Sequence, residues 1–188
     1  ETRFIHNNGT VVCSGAGTSG IAAVSPEDSN VPGIAGGSGM PALSDTYGLW
    51  SLSLKPDSGG SSWIGGGGYV GISGDLTVDT PAGARFDRQV RVGGNLNLNQ
   101  GSFRVDGNTK NLWVEGNLTM AASTKLGGQA ATDVHPYWEG WMMVDGNVTL
   151  GAGSELYLAS GASAADKWDF TGTQIGGNWI NNGGSATE

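Results

Sequence analysis

The stretch Val144-Asp145-Gly146-Asn147-Val148-Thr149-Leu150 decides the fold, because the chain writes nearly the same seven residues five times. The other copies are Ile72-Ser73-Gly74-Asp75-Leu76-Thr77-Val78, Val92-Gly93-Gly94-Asn95-Leu96-Asn97-Leu98, Val114-Glu115-Gly116-Asn117-Leu118-Thr119-Met120 and Ile175-Gly176-Gly177-Asn178-Trp179-Ile180-Asn181. Their central glycines stand 20, 22, 30 and 31 residues apart, a spacing at which internal repetition points to a solenoid. Apolar residues recur two and four positions to either side of the glycine, with Val70, Val90, Leu112 and Met142 at the farthest upstream place, and only Thr173 and Asn181, the outermost places of the last copy, depart from the rule. Alternation of period two on both arms means two short strands bent at a corner, with the apolar side chains of both on one face. Glycine permits positive φ at such a corner, and Asn or Asp tolerates the left-handed region and bonds the local backbone.

After the second arm comes a turn of small residues and a third apolar stretch: Ala82-Gly83-Ala84-Arg85-Phe86, Gln100-Gly101-Ser102-Phe103-Arg104-Val105, Ala122-Ser123-Thr124-Lys125-Leu126 and Ala152-Gly153-Ser154-Glu155-Leu156. Three strands and three turns make one coil, so the chain reads as an all-β protein, a parallel β-solenoid of about five to six coils. A β-sandwich also has short alternating strands, but its successive hairpin strands have no reason to share one motif in one phase. Gly48-Leu49-Trp50-Ser51-Leu52-Ser53-Leu54 has the same corner-like start and alternation, while residues 57–62 and 65–68 read as turns. Residues 1–47 lack the repeat and read as a Gly-rich cap or strand-donating extension; residues 48–188 are the solenoid, in a single domain overall.

Composition agrees. Glycine makes up 35 of the 188 residues, well above the usual fraction of about 7%, which demands many turns. Seven Trp, four Tyr and four Phe argue for a folded core, since disordered chains are poor in aromatics. The formal charge of -8, with Arg85, Arg88 and Arg91 as the one basic cluster, argues against nucleic acid as a partner. No window carries a helical apolar stripe and no run of 18 apolar residues occurs, so membrane insertion is not expected. The start at Glu1 reads as the mature remainder of a processed precursor or as a piece excised from a longer chain. Cys13 is the single cysteine, which excludes an internal disulfide and leaves a small buried hydrophobe or an intermolecular cross-link.

The phrase Val-x-Gly-Asn-Val-Thr-Leu followed by Gly-Ser-x-Leu, as in residues 144–158, resembles the β-strand repeats of bacterial secreted surface proteins, including autotransporter passengers and filamentous adhesins. The likeness covers roughly residues 69–181. It implies a protein that is secreted, displayed at the cell surface, structural or adhesive, and without catalytic residues.

Several chemistries are weighed against scaffold roles. Glu115 and Asp145 occupy the place just before the corner glycine on adjacent coils, a spacing that suits the carboxylate pair of a retaining glycosidase or a calcium site; the plainer reading is a solvated corner. Gly65 to Gly68 lacks the helix that a phosphate loop requires, and His6 and His135 lack partners at zinc spacing, so no cofactor and no metal is expected. Thr77, Asn97, Thr119 and Thr149 form an outward polar row, which reads as ordinary strand surface. Asn8, Asn117 and Asn147 each open an Asn-x-Thr sequon. Residues 130–141 form an insertion in which Tyr137, Trp138 and Trp141 are candidates for stacking on a surface glycan or a protein partner.

The function expected from these features is a non-enzymatic extracellular subunit whose main partners are copies of itself, joined head to tail into a filament. The candidate joint is Phe4, Ile5, Val11 and Val12 at one end and Trp179 at the other, because an uncapped strand edge recruits another strand. The alternative is a glycan-binding adhesin using the aromatic insertion; a carbohydrate-active enzyme using Glu115 and Asp145 is the third class.

Overall fold

The computed structural model describes residues 7–14, 19–21, 49–56, 62–64, 70–86, 90–106, 111–129, 141–157 and 172–187. Among these residues every regular element is a strand. The first are β1 (Thr10–Cys13), β2 (Ser19–Ile21), β3 (Ser51–Leu54), β4 (Ser62–Ile64) and β5 (Val70–Ile72). There follow β6 (Leu76–Asp79), β7 (Ala84–Phe86), β8 (Val90–Val92), β9 (Leu96–Gln100), β10 (Ser102–Asp106) and β11 (Leu112–Val114). The chain continues with β12 (Leu118–Met120), β13 (Lys125–Gln129), β14 (Trp141–Val144), β15 (Val148–Leu150), β16 (Glu155–Tyr157), β17 (Gly172–Ile175), β18 (Trp179–Asn181) and β19 (Ser185–Thr187).

These strands form three open sheets, in the orders β1-β3-β6-β9-β12-β15-β18, β19-β16-β13-β10-β7-β4-β2 and β17-β14-β11-β8-β5. Every pairing between them is parallel. From β3 onward the chain visits the sheets in fixed rotation, an arrangement consistent with a parallel β-solenoid. One strand from each sheet is called a rung below.

The heptad sets the first corner of each rung. Strands β5, β8, β11, β14 and β17 end just before it, and β6, β9, β12, β15 and β18 begin just after it. The glycine is needed there for a different reason from the one expected. Glycines 74, 94, 116, 146 and 177 are not among the positive-φ residues; they are required because rungs stack backbone on backbone. A Cβ on Gly116 would lie 2.5 Å from the Gly94 carbonyl oxygen, and one on Gly146 would lie 2.6 Å from that of Gly116. The close approach lets each glycine N–H donate to the glycine below: Gly94 to Gly74 at 2.9 Å, Gly116 to Gly94 at 2.9 Å, Gly146 to Gly116 at 3.0 Å and Gly177 to Gly146 at 3.0 Å. Positive φ occurs instead in the next turn, between the first and second sheets, at Gly83, Ser123, Gly153 and Gly183, and also at Gly101.

The Asn that follows each glycine also differs from expectation, because its side chain reaches the neighbouring rung and not its own turn. Asp75 Oδ1 accepts the Asn95 N–H at 2.7 Å, Asn95 Oδ1 that of Asn117 at 2.9 Å, Asn117 Oδ1 that of Asn147 at 2.9 Å, and Asn147 Oδ1 that of Asn178 at 2.8 Å. Side-chain amides donate down the same ladder, Asn95 to Asp75 and Asn117 to Asn95, each at 3.1 Å. An Asp suffices at Asp75 because the residue below is Ser51, whose Oγ accepts the Asp75 N–H at 3.1 Å.

Inward columns form the core. Leu52, Leu76, Leu96, Leu118 and Val148 stack in one column, Leu54, Val78, Leu98, Met120 and Leu150 in the next, and all are buried. In the second sheet Phe103 stacks between Ala84 and Leu126 and meets Phe86 edge to face, with ring centroids 5.0 Å apart. Thr124 and Ser154 are buried at the turns and donate to the carbonyls of Ala121 and Gly151, both at 2.8 Å, so their burial leaves no orphan hydroxyl.

Three sequence expectations shift. The earliest corner falls at Trp50-Ser51 and not at Gly48: Leu49 bridges Ile72 while Leu52 pairs with Leu76, so this corner is one residue shorter, and Gly74 donates to the Trp50 carbonyl. Strand β4 begins at Ser62, the last residue of the first stretch read as turns. The tail from Asn182, which lacks the apolar alternation of the earlier third stretches, contains β19, because the exposed edge of β16 templates it: the Ser185 N–H donates to the Ser154 carbonyl at 2.8 Å, and Asn181 Oδ1 caps the turn by accepting from Gly183 and Gly184. Backbone pairing of this kind needs no apolar signature, which is why alternation did not reveal it.

Candidate assembly interface

The first sheet ends on β1 at one side and on β18 at the other. In β1, Val11 pairs with Leu52 and Cys13 with Leu54, so both lie in the inward columns and pack half-buried against the core. In β18, Trp179 continues the column of Val148 but is 39% exposed, because among the described residues no rung covers it. The outward row runs Val12, Ser53, Thr77, Asn97, Thr119, Thr149, Ile180. Its interior is polar, as the sequence indicated. Its two ends are apolar, with Val12 57% and Ile180 41% exposed.

Parallel pairing uses alternate residues for each neighbour. Gly9 and Cys13 offer their carbonyls to Ser51 and Lys55, so the N–H and C=O groups of Thr10 and Val12 face away from the stack. At the far end Asn178 offers its carbonyl to Val148, and Asn182 donates to Leu150; the N–H and C=O groups of Trp179 and Asn181 therefore face away. The amide ladder stops here too, since no described group donates to Asn178 Oδ1.

Of the other candidates, Phe4, Ile5, Tyr137 and Trp138 lie outside the described residues. Trp141, taken with the insertion, belongs instead to the first position of β14, paired with Gly172, so the excursion ends before it. Glu115 and Asp145 each have a partner on an adjacent rung. Glu115 accepts from Arg91 Nε at 2.8 Å, Asp145 accepts from Trp113 Nε1 at 3.1 Å, and the Arg91 guanidinium lies 4.2 Å from the Trp113 ring centre. Both carboxylates thus belong to an outward network on the third sheet. Among the described residues no group of three or more His, Cys, Asp or Glu is placed to hold a metal ion, and no helix is long and apolar enough to cross a membrane.

Among the described residues two titratable groups shift. Burial raises the Cys13 thiol, keeping it protonated at neutral pH. The Glu155 carboxyl is held below its ordinary value first by the Tyr157 hydroxyl and then by Lys125 at 2.9 Å. A depressed carboxylate stabilises the fold at neutral pH, and that contribution is lost as pH falls through the depressed value; on so exposed a group it is small.

The ladder is directly testable. In Asn117→Leu the Asn147 N–H loses its acceptor and Asn95 Oδ1 loses its side-chain donor while keeping the backbone N–H of residue 117, which should cost about 1 to 2 kcal/mol in denaturant unfolding at this wet corner. Asn117→Asp should keep the acceptor role toward Asn147 and lose less. Equal losses would contradict the bonding assigned here. The sequon at Asn117 places its amide nitrogen inside this ladder.

The residues of the two sheet ends that sequence reasoning did not single out are Gly9, Thr10, Asn178 and Ile180. The signal was present: Gly9-Thr10 precedes the alternation of Val11-Val12-Cys13 as Gly-Asn precedes the arms of later rungs. Comparison of the chain with family models, with curated proteins and with solved structures finds no match.

Proposed function

We propose that this protein is a non-enzymatic structural subunit, secreted and displayed outside the cell, whose β-solenoid stacks head to tail into a fibre. The third sheet's five strands correspond to five complete coils, and β1 to β4 extend two of the walls further toward the first end. One observation carries the reading. The three large hydrophobic residues that stand exposed among the described residues, Val12, Trp179 and Ile180, all lie in the two end strands of one sheet. Exposed apolar groups on flat, open strand edges mark sites of strand addition. The two ends are different surfaces, so a contact between them is heterologous and generates an open polymer. In the same sheet the mid-stack outward row, Ser53, Thr77, Asn97, Thr119 and Thr149, is polar, and the strands that carry it are paired on both sides, so it offers no comparable reason to associate.

Negative-stain microscopy of the purified chain over a concentration series tests the reading, with unbranched fibres expected. Single particles at every concentration would sink it. Removing residues 1–13 deletes β1 and should abolish the fibres; fibres that persist would show that β1 is not part of the joint.

A further inference from the structure

From the strand registers we infer the joint residue by residue: β18 of one copy pairs in parallel with β1 of the next, so that Trp179 meets Val11, Ile180 meets Val12 and Asn181 meets Cys13. This rests on the head-to-tail reading above and adds its register. Between successive rungs within the chain, residues two and four places after the corner glycine of the lower rung bond to those one, three and five places after it in the upper rung, as in Leu118 N–H to Asn147 C=O at 2.9 Å and Gly151 N–H to Met120 C=O at 2.8 Å. Trp179 and Asn181 hold the lower places, and their N–H and C=O groups face outward from the end. Thr10 and Val12 hold the upper places, by pairing through Ser51 and Ser53 to the same columns, and their groups also face outward. Donors and acceptors therefore match: the Trp179 N–H meets the Thr10 carbonyl, and the Val12 N–H meets the Trp179 carbonyl.

Two further observations fit the same register. Thr10 stands in the column of Ser51, Asp75 and the ladder asparagines, so its N–H is placed to donate to the neighbour's Asn178 Oδ1, the rung-end acceptor to which no described group donates. Gly9 stands in the column of the corner glycines. Every one of those glycines is forced by the rung below it, yet a Cβ on Gly9 would meet nothing within 4 Å, and its φ lies outside the left-handed region. Nothing in its own chain's described residues requires a glycine there. The requirement is supplied by the neighbour's Gly177, the one corner glycine on which no rung is stacked among the described residues. The occupant is thus a second copy of this chain, since its last rung presents the Gly-Asn corner that Gly9-Thr10 complements. The joint also brings the three exposed hydrophobics together, Trp179 over Val11 in the core and Ile180 beside Val12 outside.

The test uses the native single cysteine. In register, position 181 lies one strand spacing from the neighbour's Cys13, about 4.8 Å between Cα atoms, which is within disulfide reach. Fibres of Asn181→Cys, oxidised with diamide, should run as a ladder of covalent multimers on a non-reducing gel, and reduction should collapse it to monomer. Gln174→Cys, on the outward row of another sheet, should give no ladder. Fibres of Asn181→Cys without the ladder, or an equal ladder from Gln174→Cys, would overturn the register while leaving head-to-tail assembly standing; absence of fibres from the unaltered chain would overturn assembly itself. Gly9→Leu supplies the second arm. The dilute monomer should keep its melting temperature within about 1 °C, roughly the shift that a change of a few tenths of a kcal/mol produces in a domain this size, while fibre growth is lost. Gly9→Leu fibres growing like the unaltered chain's would contradict the seating of Gly9 on Gly177.

Discussion

Gly116→Ala should lower the unfolding free energy by about 3 kcal/mol, the upper part of the range for overpacking a closely fitted site. The added methyl would sit 2.5 Å from the Gly94 carbonyl oxygen, 2.7 Å from its carbon and 2.8 Å from Asn95 Oδ1. Two of these are backbone atoms, which cannot rotate away, so the rungs must part, and the Gly116 to Gly94 hydrogen bond and the ladder beside it lengthen together. Two companion substitutions separate the causes. Gly153→Ala meets only Ser123 Oγ at 3.7 Å but has φ of +67°, so its cost is conformational, about 1 to 2 kcal/mol. Gly9→Ala meets neither obstacle and should be neutral, or stabilising by a few tenths of a kcal/mol through the unfolded chain. Equal losses at all three would show that glycine content as such, and not stacked backbone, governs the fold.

Phe103→Ala should be the largest single loss, about 4 kcal/mol by denaturant unfolding. The ring is fully buried and stacks between Ala84 and Leu126. Truncating a buried Phe costs about 3 to 5 kcal/mol, because transfer energy is lost and a cavity remains. Ala84 below is too small to fill it, and strand register prevents the sheets from collapsing inward. The edge-to-face contact with Phe86, at an interplanar angle of 85°, adds about 0.5 to 1.5 kcal/mol to what is lost. A measured loss under about 1.5 kcal/mol would mean that the second sheet is looser than its burial indicates.

How far the sequence alone reached can be judged at particular residues. The heptad placed both arms of each corner and their inward residues correctly, because one buried face forces period-two alternation and stacking forces its recurrence in phase. It misjudged why the corner is Gly-Asn. Local turn chemistry explains such a pair in an isolated chain, whereas the clash of Gly116 on Gly94 and the bond from Asn147 to Asn117 exist only between residues 22 and 30 positions apart. Trp50 was missed as a corner for the same reason, since it lacks the two letters and is recognised only by its pairing. Strand β19 carries no apolar alternation and is defined by the edge it joins. The candidate joint was half legible: Val11, Val12 and Trp179 stood out as apolar residues at the ends, while Thr10 and Asn178 acquire meaning only when their column is traced through five intervening rungs. Phe4, Ile5, Tyr137 and Trp138 fall outside the described residues.

Helical reconstruction of the fibre measures the central claim most directly. Seven strands in each of the first two sheets, spaced about 4.8 Å along the stack, predict an axial rise of about 34 Å per subunit with strands perpendicular to the fibre axis and no gap at the joint in those two sheets. A rise well away from that value, or strands running along the axis, would contradict end-to-end stacking of these coils.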